Sequence, residues 1–408
     1  MELLNTVTVE EAKNKIREAF GGFSLKQENI SILDAVGRYL AKDIIVPIDV
    51  PGFDRSTVDG YAVISKDTFG ASESVPGFLK YKDQIEMGKK ADVTVRTGNC
   101  YYVPTGGMLP EGCDSVVMIE YTEVLGNDIC IQRPVAPGEN VLKKGEDLKR
   151  GDIIFKKGHK LRPQDIGMLA GIGTINIDVY EKLRVSIIST GDELVSPTED
   201  LKLGQIKDMN TYSLSAASIE DGCNVIERTI VKDHRDLLKN KIEECVKNSH
   251  IVLISGGSSM GNKDFTKDVI NDIGSPGVFI HGVSVKPGKP TIVGKIGTTA
   301  LFGLPGQPVS ALVIYKIFVS FLINNIYYNE EVINQYIEGE ISVNIPSAPG
   351  REHYVMVNIR EEIDKTVIEP VYGKSGMLSM MAKARGYVKI KTNQEGLIKG
   401  EKVRVFLF

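Results

Sequence analysis

The segment Ile251–Asp264, with the sequence IVLISGGSSMGNKD, decides the fold that we predict for this chain. Its first four residues are apolar and three of them are β-branched, which is typical of a buried strand. A loop of serines and glycines follows, and a carboxylate ends it. Such loops let a ligand approach backbone N–H groups, and a nearby carboxylate can hold a hard cation beside phosphate. An ordinary strand-to-helix turn fits the same residues, so other loops must decide between the two interpretations.

Composition excludes several classes of protein. The chain has 408 residues and a net charge of −4, which suggests roughly two to four domains and gives no electrostatic footprint for nucleic acid or an anionic membrane. Its five cysteines and five histidines are scattered, without a Cys-x-x-Cys pair. This pattern argues against a disulfide framework or a zinc site. We therefore expect a reducing, cytoplasmic compartment and oxygen ligands for any metal. The apolar segment Val309–Ile326 contains lysine, serine and asparagine, and we expect a buried helix rather than a membrane span.

Changes of pattern along the chain predict an α/β multidomain fold. Thr8 and Glu11 form a capping box for a first helix, and Ile32–Leu40 is predicted to be a second one. Strands alternate with helices from Lys182 onwards, which indicates a central, mostly parallel α/β sheet domain. The predicted domains are a helical and extended connecting domain (1–45 and 141–176), an inserted β-rich domain (46–140), the α/β domain (177–328) and a C-terminal β-barrel-like domain (329–408).

Polar loops follow the strands of the α/β domain. These loops are 189–193, 232–233, 255–264, 286–289 and 303–308. Ligands of open parallel sheets bind beyond the carboxyl ends of the strands, so we expect the five loops to share one rim. A binding site explains this repetition better than five unrelated turns do.

The rim combines acids with cations. Its acids are Asp192, Glu193, Asp233 and Asp264, and its cations are Lys286 and Lys289. Carboxylates alone suggest a metal and lysines alone suggest an anion, whereas both together suggest magnesium with a phosphate ligand. The backbone N–H groups expected to contact the anion are those of Gly256, Gly257 and Gly261. Neither a Walker A loop nor a Rossmann fingerprint is present, and the GSSMG sequence at 257–261 lacks a histidine in a recognisable catalytic loop.

Five segments together resemble the molybdopterin molybdenumtransferase family, the bacterial molybdenum insertase group that includes the gephyrin E domain. They are the loop from Ser255 to Asp264, KPGKP at 286–290, GLPGQP at 303–308, STGDEL at 189–194 and the segment from Pro51 to Ala62. Their order and spread over nearly the whole chain make the resemblance specific. It implies insertion of molybdenum from molybdate into adenylylated molybdopterin with release of AMP, with Mg²⁺ as the cofactor. It also implies a homodimer of four-domain chains and a molybdopterin adenylyltransferase acting upstream.

The resemblance implies a role for each matching residue. Asp59 and Thr97 are expected to contact the pterin nucleotide from the β-rich domain. Glu193, Asp233 and Asp264 are expected to bind magnesium and, with Asp59, to act in catalysis. The remaining substrate-binding candidates are Ser259, Lys286, Lys289, Pro305, Pro308, Arg351, Ser375 and Ser379. Four residues depart from the family pattern, and they are Val58, Asn262, Gln307 and Met356.

Three other functions fit parts of the pattern. The first is adenylylation of molybdopterin, because its catalysts have a similar sheet domain. The second is a non-catalytic scaffold of the same fold, as in an animal relative. The third is a nucleotide-processing enzyme that shares only the sheet domain. The additional β domains favour insertion over adenylylation, and the retained acids and lysines favour catalysis over a scaffold.

Overall fold

The structure is a computed structural model, and it describes residues 6–256, 265–328 and 336–408. Two compact units divide the chain. One contains residues 30–36 and 40–177, and the other contains the N-terminal segment up to Asn29, residues 37–39 and residues 178–408. We call them the β unit and the α/β unit.

The β unit is built on a six-stranded sheet. In spatial order its strands are Ser115–Met118, Gly60–Val63, Asn99–Val103, Gly77–Gln84, Asp128–Ile131 and Thr122–Leu125. Two short antiparallel pairs join Arg55–Ser56 to Val141–Leu142 and Ile44–Ile45 to Ile153–Phe155. The unit also contains the helix Pro163–Gly171, as expected from its N-terminal proline. The predicted helix Ile32–Leu40 is wrong beyond its first turn, because only Ile32–Ala35 forms a 3₁₀ turn and Gly37 follows at φ +78°.

The α/β unit begins with the helix Val9–Phe20, whose capping box between Thr8 and Glu11 is present as predicted. Its main sheet has six strands. In spatial order they are Asn224–Val231, Arg184–Thr190, Ile251–Ser255, Thr299–Leu304, Ile292–Ile296 and Pro276–His281. Only Ile292–Ile296 runs against the other five strands, because both of its pairings are antiparallel. The sheet is therefore mostly parallel, as predicted, although the sequence analysis had no strand at 292–296.

Alternating side chains of the sheet enter two cores. Ile187, Ile251 and Leu253 pack on one face with Leu214 of the helix Asn210–Glu220. Ile188, Val252 and Ile254 pack on the opposite face with residues of the helices Arg235–Asn248 and Thr266–Ile273. All six of these strand residues are fully buried, which explains why the strands are apolar along their whole length.

The long apolar helix belongs to the first of these cores. It consists of Pro308–Ile314, a π-helical turn at Tyr315–Val319 and Ser320–Tyr328. By length and composition it could cross a membrane, but 67% of its apolar window is buried inside the unit. The prediction of a buried core helix is therefore the one that the packing supports.

The C-terminal part of the α/β unit is a closed five-stranded barrel, which confirms the predicted β-barrel-like domain. In spatial order its strands are Glu352–Glu361, Thr366–Pro370, Tyr336–Ile341, Lys402–Leu407 and Gly386–Ile390, and the last pairs with the first. The two-residue strand Val285–Lys286 adds to Glu352–His353 in parallel. This part of the unit also contains a short helix, Leu378–Lys383.

Candidate functional site

A cavity of about 1090 Å³ lies at the carboxyl ends of the parallel strands, within the α/β unit. Four of the five predicted rim loops, all within the described residues, contribute to its wall. Of the fifth loop, 255–264, the described residues Ser255 and Gly256 line it. The loop at 286–289 reaches the same rim because the edge strand Pro276–His281, which is antiparallel to Ile292–Ile296, runs in the same direction as the four parallel strands. Sheet direction therefore brings together residues more than a hundred positions apart.

Two of the carboxylates predicted from the sequence, Glu193 and Asp233, line the cavity. Glu193 folds back on its own loop, and a Cβ at Gly191 would lie 2.9 Å from both of its carboxylate oxygens. Asp233 follows the neighbouring strand and is fixed by Thr190, whose Oγ1 donates to Asp233 Oδ1 at 2.5 Å. The Asp233 N–H in turn donates to Asp192 Oδ1 at 3.2 Å. Carboxylate oxygens are the ligands that Mg²⁺ prefers, so the donor chemistry of this pair fits that ion.

The third predicted magnesium ligand, Asp264, lies outside the described residues, as do Gly257, Ser259, Gly261 and the departure at Asn262. Among the residues that the structure describes, no group of three or more acidic, histidine or cysteine side chains is arranged to hold a metal. The described part of the site therefore supplies two of the three predicted ligands, Glu193 and Asp233.

Two lysines form the basic part of the wall. Lys286 and Lys289 flank a tight turn, in which Gly288 has a φ of +111° and approaches the core so closely that a Cβ would lie 2.4 Å from Ile314 Cδ1. The turn is held by Thr291, whose Oγ1 donates to the Gly288 carbonyl at 2.7 Å. Within the described ranges no carboxylate lies within ion-pair distance of either lysine. Two exposed cations with no counter-ion among the described residues are suited to a ligand oxyanion.

His353 stands beside this basic turn. Its strand position is opposite Lys286, and its Nδ1 lies 3.2 Å from Ser347 Oγ. Burial, together with the positive charges of Lys286 and Arg351, lowers the pKa of His353 to about 4. Burial is the largest of these causes. The imidazole is therefore neutral at pH 7, and the sequence analysis had not selected it as a cavity residue.

The cavity also has an apolar wall. Val309 and Met380 contribute to it from helices, and Tyr354, Met356 and Val371 contribute from the barrel. Met356, one of the four residues that depart from the family pattern, is 3% exposed and makes this part of the wall apolar. Pro305 and Pro308 line the cavity, and Ser375 donates its hydroxyl to the Gln307 Oε1. An apolar wall beside charged loops suits a ligand with a flat ring system and anionic groups.

Two other predicted residues of the α/β unit do not line the cavity. Arg351 and Ser379 belong to the α/β unit and are exposed, but neither lines the cavity. Asp59 and Thr97 belong to the β unit. Asp59 is held by the N–H of Thr105, which donates to its Oδ1 at 2.8 Å, and Thr97 lies in an exposed turn before Gly98.

Asp208 and Asn210 line the cavity and were missed by the sequence analysis. Both are nearly buried, at 3% and 8% exposure. They stand at the start of the helix Asn210–Glu220, where aspartate and asparagine are common capping residues. In the sequence these two residues look like ordinary helix-capping residues, so nothing there distinguished them as cavity residues.

These features define a class of protein. A mostly parallel α/β sheet carries a cavity at its carboxyl edge, and carboxylates and lysines face this ligand-sized space. The same unit contains a closed β barrel. This is the architecture of an α/β protein that binds a phosphorylated or otherwise anionic small molecule.

Comparison with known proteins identifies the family. Residues 7–173 match the MoeA N-terminal region (domain I and II), residues 186–325 match a probable molybdopterin binding domain, and residues 338–408 match the MoeA C-terminal region (domain IV). A putative molybdopterin biosynthesis protein of Methanocaldococcus jannaschii is 34% identical, over 94% of this chain and 92% of its own. The molybdopterin molybdenumtransferase of Haemophilus influenzae is 30% identical over 98% of both chains.

Solved structures agree with the sequence relatives. A molybdopterin biosynthesis MoeA protein from Pyrococcus horikoshii superposes with a TM-score of 0.81 at 35% identity, covering 99% of both chains. A second structure of a MoeA protein from this organism gives a TM-score of 0.87 at 30% identity, covering 99% of this chain and 100% of the other. The chain belongs to the MoeA family of molybdenum cofactor biosynthesis proteins. The predicted family, fold class and biosynthetic role are thereby confirmed.

Proposed function

We propose that this protein inserts molybdenum from molybdate into adenylylated molybdopterin, with Mg²⁺-dependent release of AMP. The observation that carries the proposal is the single cavity in which the carboxylates Glu193 and Asp233 face the same space as Lys286 and Lys289. Relatives that match nearly the whole chain are named molybdopterin molybdenumtransferase, which supports the same reaction.

The two lysines are proposed to bind the molybdate substrate. Molybdate is a dianion, and ammonium groups without a carboxylate partner bind such an oxyanion without first breaking an ion pair. Both lysines are exposed on the rim, and the Gly288 turn between them fixes their spacing. Ser259, Arg351, Ser375 and Ser379 remain proposed contacts of the substrates, of which Ser375 lies in the cavity wall.

Cleavage of the phosphoanhydride is proposed to take place on the acidic side of the cavity. Glu193 and Asp233, together with Asp264, are the side chains that would hold Mg²⁺. When bound, the ion offsets negative charge that develops on the phosphate oxygens. Thr190 orients Asp233 by its hydrogen bond, so the carboxylate does not have to be ordered when the substrate arrives.

The remaining proposals concern the assembly and its surroundings. We propose that the protein is a homodimer that acts in the cytoplasm after a molybdopterin adenylyltransferase, with Asp59 and Thr97 contacting the pterin nucleotide. All five cysteines are free thiols, which supports a reducing compartment. The division into four domains that the sequence predicts is likewise a proposal.

The test is an assay on the purified protein with adenylylated molybdopterin, Mg²⁺ and molybdate. We expect AMP to form only when molybdate is present. A parallel incubation with molybdopterin, MgATP and no molybdate tests adenylylation, and formation of adenylylated molybdopterin there would assign that earlier step instead. Absence of both products would leave the scaffold function as the one supported.

A further inference from the structure

Asn210 occupies an unusual position between three segments of the cavity wall. Its Nδ2 donates two hydrogen bonds, to Ser255 Oγ at 2.7 Å and to the Gly306 carbonyl at 2.8 Å. The first acceptor ends a central strand, and the second belongs to the Pro305–Pro308 loop after the neighbouring strand. One amide group therefore ties two strand ends together at the edge of the sheet.

The amide oxygen of Asn210, unlike its NH₂ group, makes no hydrogen bond within the described residues. Asn210 Oδ1 is buried and has no hydrogen-bond partner in the described part of the structure. The NH₂ group of Asn210 faces Gly306, because the Gly306 carbonyl can only accept a hydrogen bond and so requires a donor. A buried acceptor without a partner lowers stability, so the fold alone does not explain an asparagine here. The two hydrogen bonds of the Asn210 NH₂ group are therefore the feature that favours asparagine at this position.

Asp208 holds Asn210 in place. It is 3% exposed and accepts hydrogen bonds from Ser189 Oγ at 3.0 Å, from the Asn210 N–H at 3.0 Å and from the Thr211 N–H at 3.2 Å. The Thr211 hydroxyl donates to it as well. Because Ser189 belongs to a third strand, the Asp208 carboxylate fixes the start of the helix, and with it the Asn210 side chain, relative to the sheet.

The hydrogen bond from Asn210 also fixes the orientation of the peptide between Gly306 and Gln307. In a trans peptide the C=O and the following N–H point in opposite directions. Since Asn210 fixes the Gly306 carbonyl, the Gln307 N–H points away from Asn210, and no acceptor for this N–H lies within residues 6–256, 265–328 and 336–408. Both Gly306 and Gln307 line the cavity. Gly306 also lies beside the neighbouring loop, since a Cβ there would be in ordinary contact with Gly256 Cα, at 3.6 Å.

We propose that Asn210 is a positioning residue, which fixes the Gly306–Gln307 peptide so that the Gln307 N–H donates to an anionic oxygen of the ligand. This inference rests on the proposed function only in taking the ligand to be a phosphate of the nucleotide or molybdate. Without the Asn210 donor the peptide can rotate and turn its carbonyl oxygen toward the anion, which would repel it. The side chain of Asn210 itself does not touch the ligand.

The test compares three variants for binding, without turnover. Asn210→Ala removes the donor, and Asn210→Asp replaces it with an oxygen beside the Gly306 carbonyl. Thr299→Val is the matched control, since Thr299 Oγ1 also donates to two backbone carbonyls, those of Val246 and Ser249, and does not line the cavity. Dissociation constants are measured separately for AMP and for molybdate by calorimetry, and thermal unfolding is recorded for every variant.

We expect both Asn210 variants to bind one of the two anions at least tenfold more weakly, whereas Thr299→Val changes neither affinity by more than twofold. The anion that is affected identifies the one that the Gln307 N–H contacts. In the wild type, that anion should also shift the backbone ¹⁵N–¹H resonance of Gln307, and the shift should be lost in Asn210→Asp.

Two results would overturn the proposal. One is unchanged affinity for both anions in the Asn210 variants, and the other is a bound anion that leaves the Gln307 resonance of the wild type unmoved. Equal weakening in Thr299→Val would show a general effect of lost buried hydrogen bonds and would overturn it too. Failure of the proposed function has a different signature, because AMP and molybdate would then bind normally while no molybdate-dependent AMP release occurs.

Discussion

Gly256 is the position at which a single methyl group should disturb both the fold and the site. Its φ is +97°, and a Cβ would lie 2.3 Å from the Thr190 carbonyl oxygen, which belongs to the neighbouring strand. Since the obstacle is backbone, no side chain can rotate to make room. The Gly256 N–H also donates to the Leu304 carbonyl at 3.2 Å, so this residue connects the ends of three adjacent strands.

The cost of Gly256→Ala can be estimated from two contributions. A positive φ costs a residue with a side chain about 1–2 kcal/mol. Separating two packed backbone segments is comparable with overpacking a core, which costs about 1–3 kcal/mol. The free energy of unfolding of the α/β unit should therefore fall by about 2–5 kcal/mol. Because Thr190 also orients Asp233, we expect the variant to lose AMP release at temperatures where it is still folded.

Urea denaturation followed by far-ultraviolet circular dichroism measures this loss, as the chain contains no tryptophan for fluorescence. Gly22→Ala is the matched control, because Gly22 lies in the same unit, does not have a positive φ and has no atom within 4 Å of a new Cβ. If Gly256→Ala unfolded within about 0.5 kcal/mol of the wild type, a range typical of neutral surface substitutions, the close approach of the two strand ends would be refuted.

Three further predictions concern the charged groups of the cavity. Lys286→Met and Lys289→Met should each weaken molybdate binding about 10–100-fold, the usual loss for a charge-assisted hydrogen bond, and calorimetry that found unchanged affinity would exclude these lysines from the oxyanion site. Glu193→Gln and Asp233→Asn should raise the Mg²⁺ concentration needed for half-maximal AMP release by about tenfold or more, and an unchanged Mg²⁺ titration would exclude them as ligands. His353 has a folded pKa of about 4, below its ordinary 6.5, so the unfolded state binds the proton more readily. Stability should therefore fall as the pH decreases from 6.5 to about 4, and His353→Gln should make the free energy of unfolding less dependent on pH in that window.

The sequence predicted features that depend on local signals or on a repeated pattern. The capping box at Thr8 and Glu11 determined the first helix, and the alternation of apolar strands with helices predicted the parallel sheet. The rim followed from sheet direction, because each loop was assigned to the end of a strand. Glu193, Asp233, Lys286 and Lys289 accordingly line one cavity.

Features that depend on contacts distant in sequence were missed. The strand Ile292–Ile296 contains Gly294, which weakens any strand signal, and the strand exists because Thr299–Leu304 and Pro276–His281 pair with its two edges. Lys286 was predicted to lie in a loop that follows a strand of the sheet, whereas Val285–Lys286 is a separate short strand on the barrel. Asp208 and Asn210 resembled ordinary capping residues, and only their hydrogen bonds to Ser189, Ser255 and Gly306 distinguish them.

The central claim is that this cavity couples use of molybdate to cleavage of adenylylated molybdopterin. It is tested most directly by measuring AMP released and molybdenum retained on the pterin in the same reaction, with the purified protein and Mg²⁺. We predict one AMP for each molybdenum inserted, and almost no AMP when molybdate is omitted. Release of AMP at the same rate without molybdate, or insertion without AMP, would contradict this account.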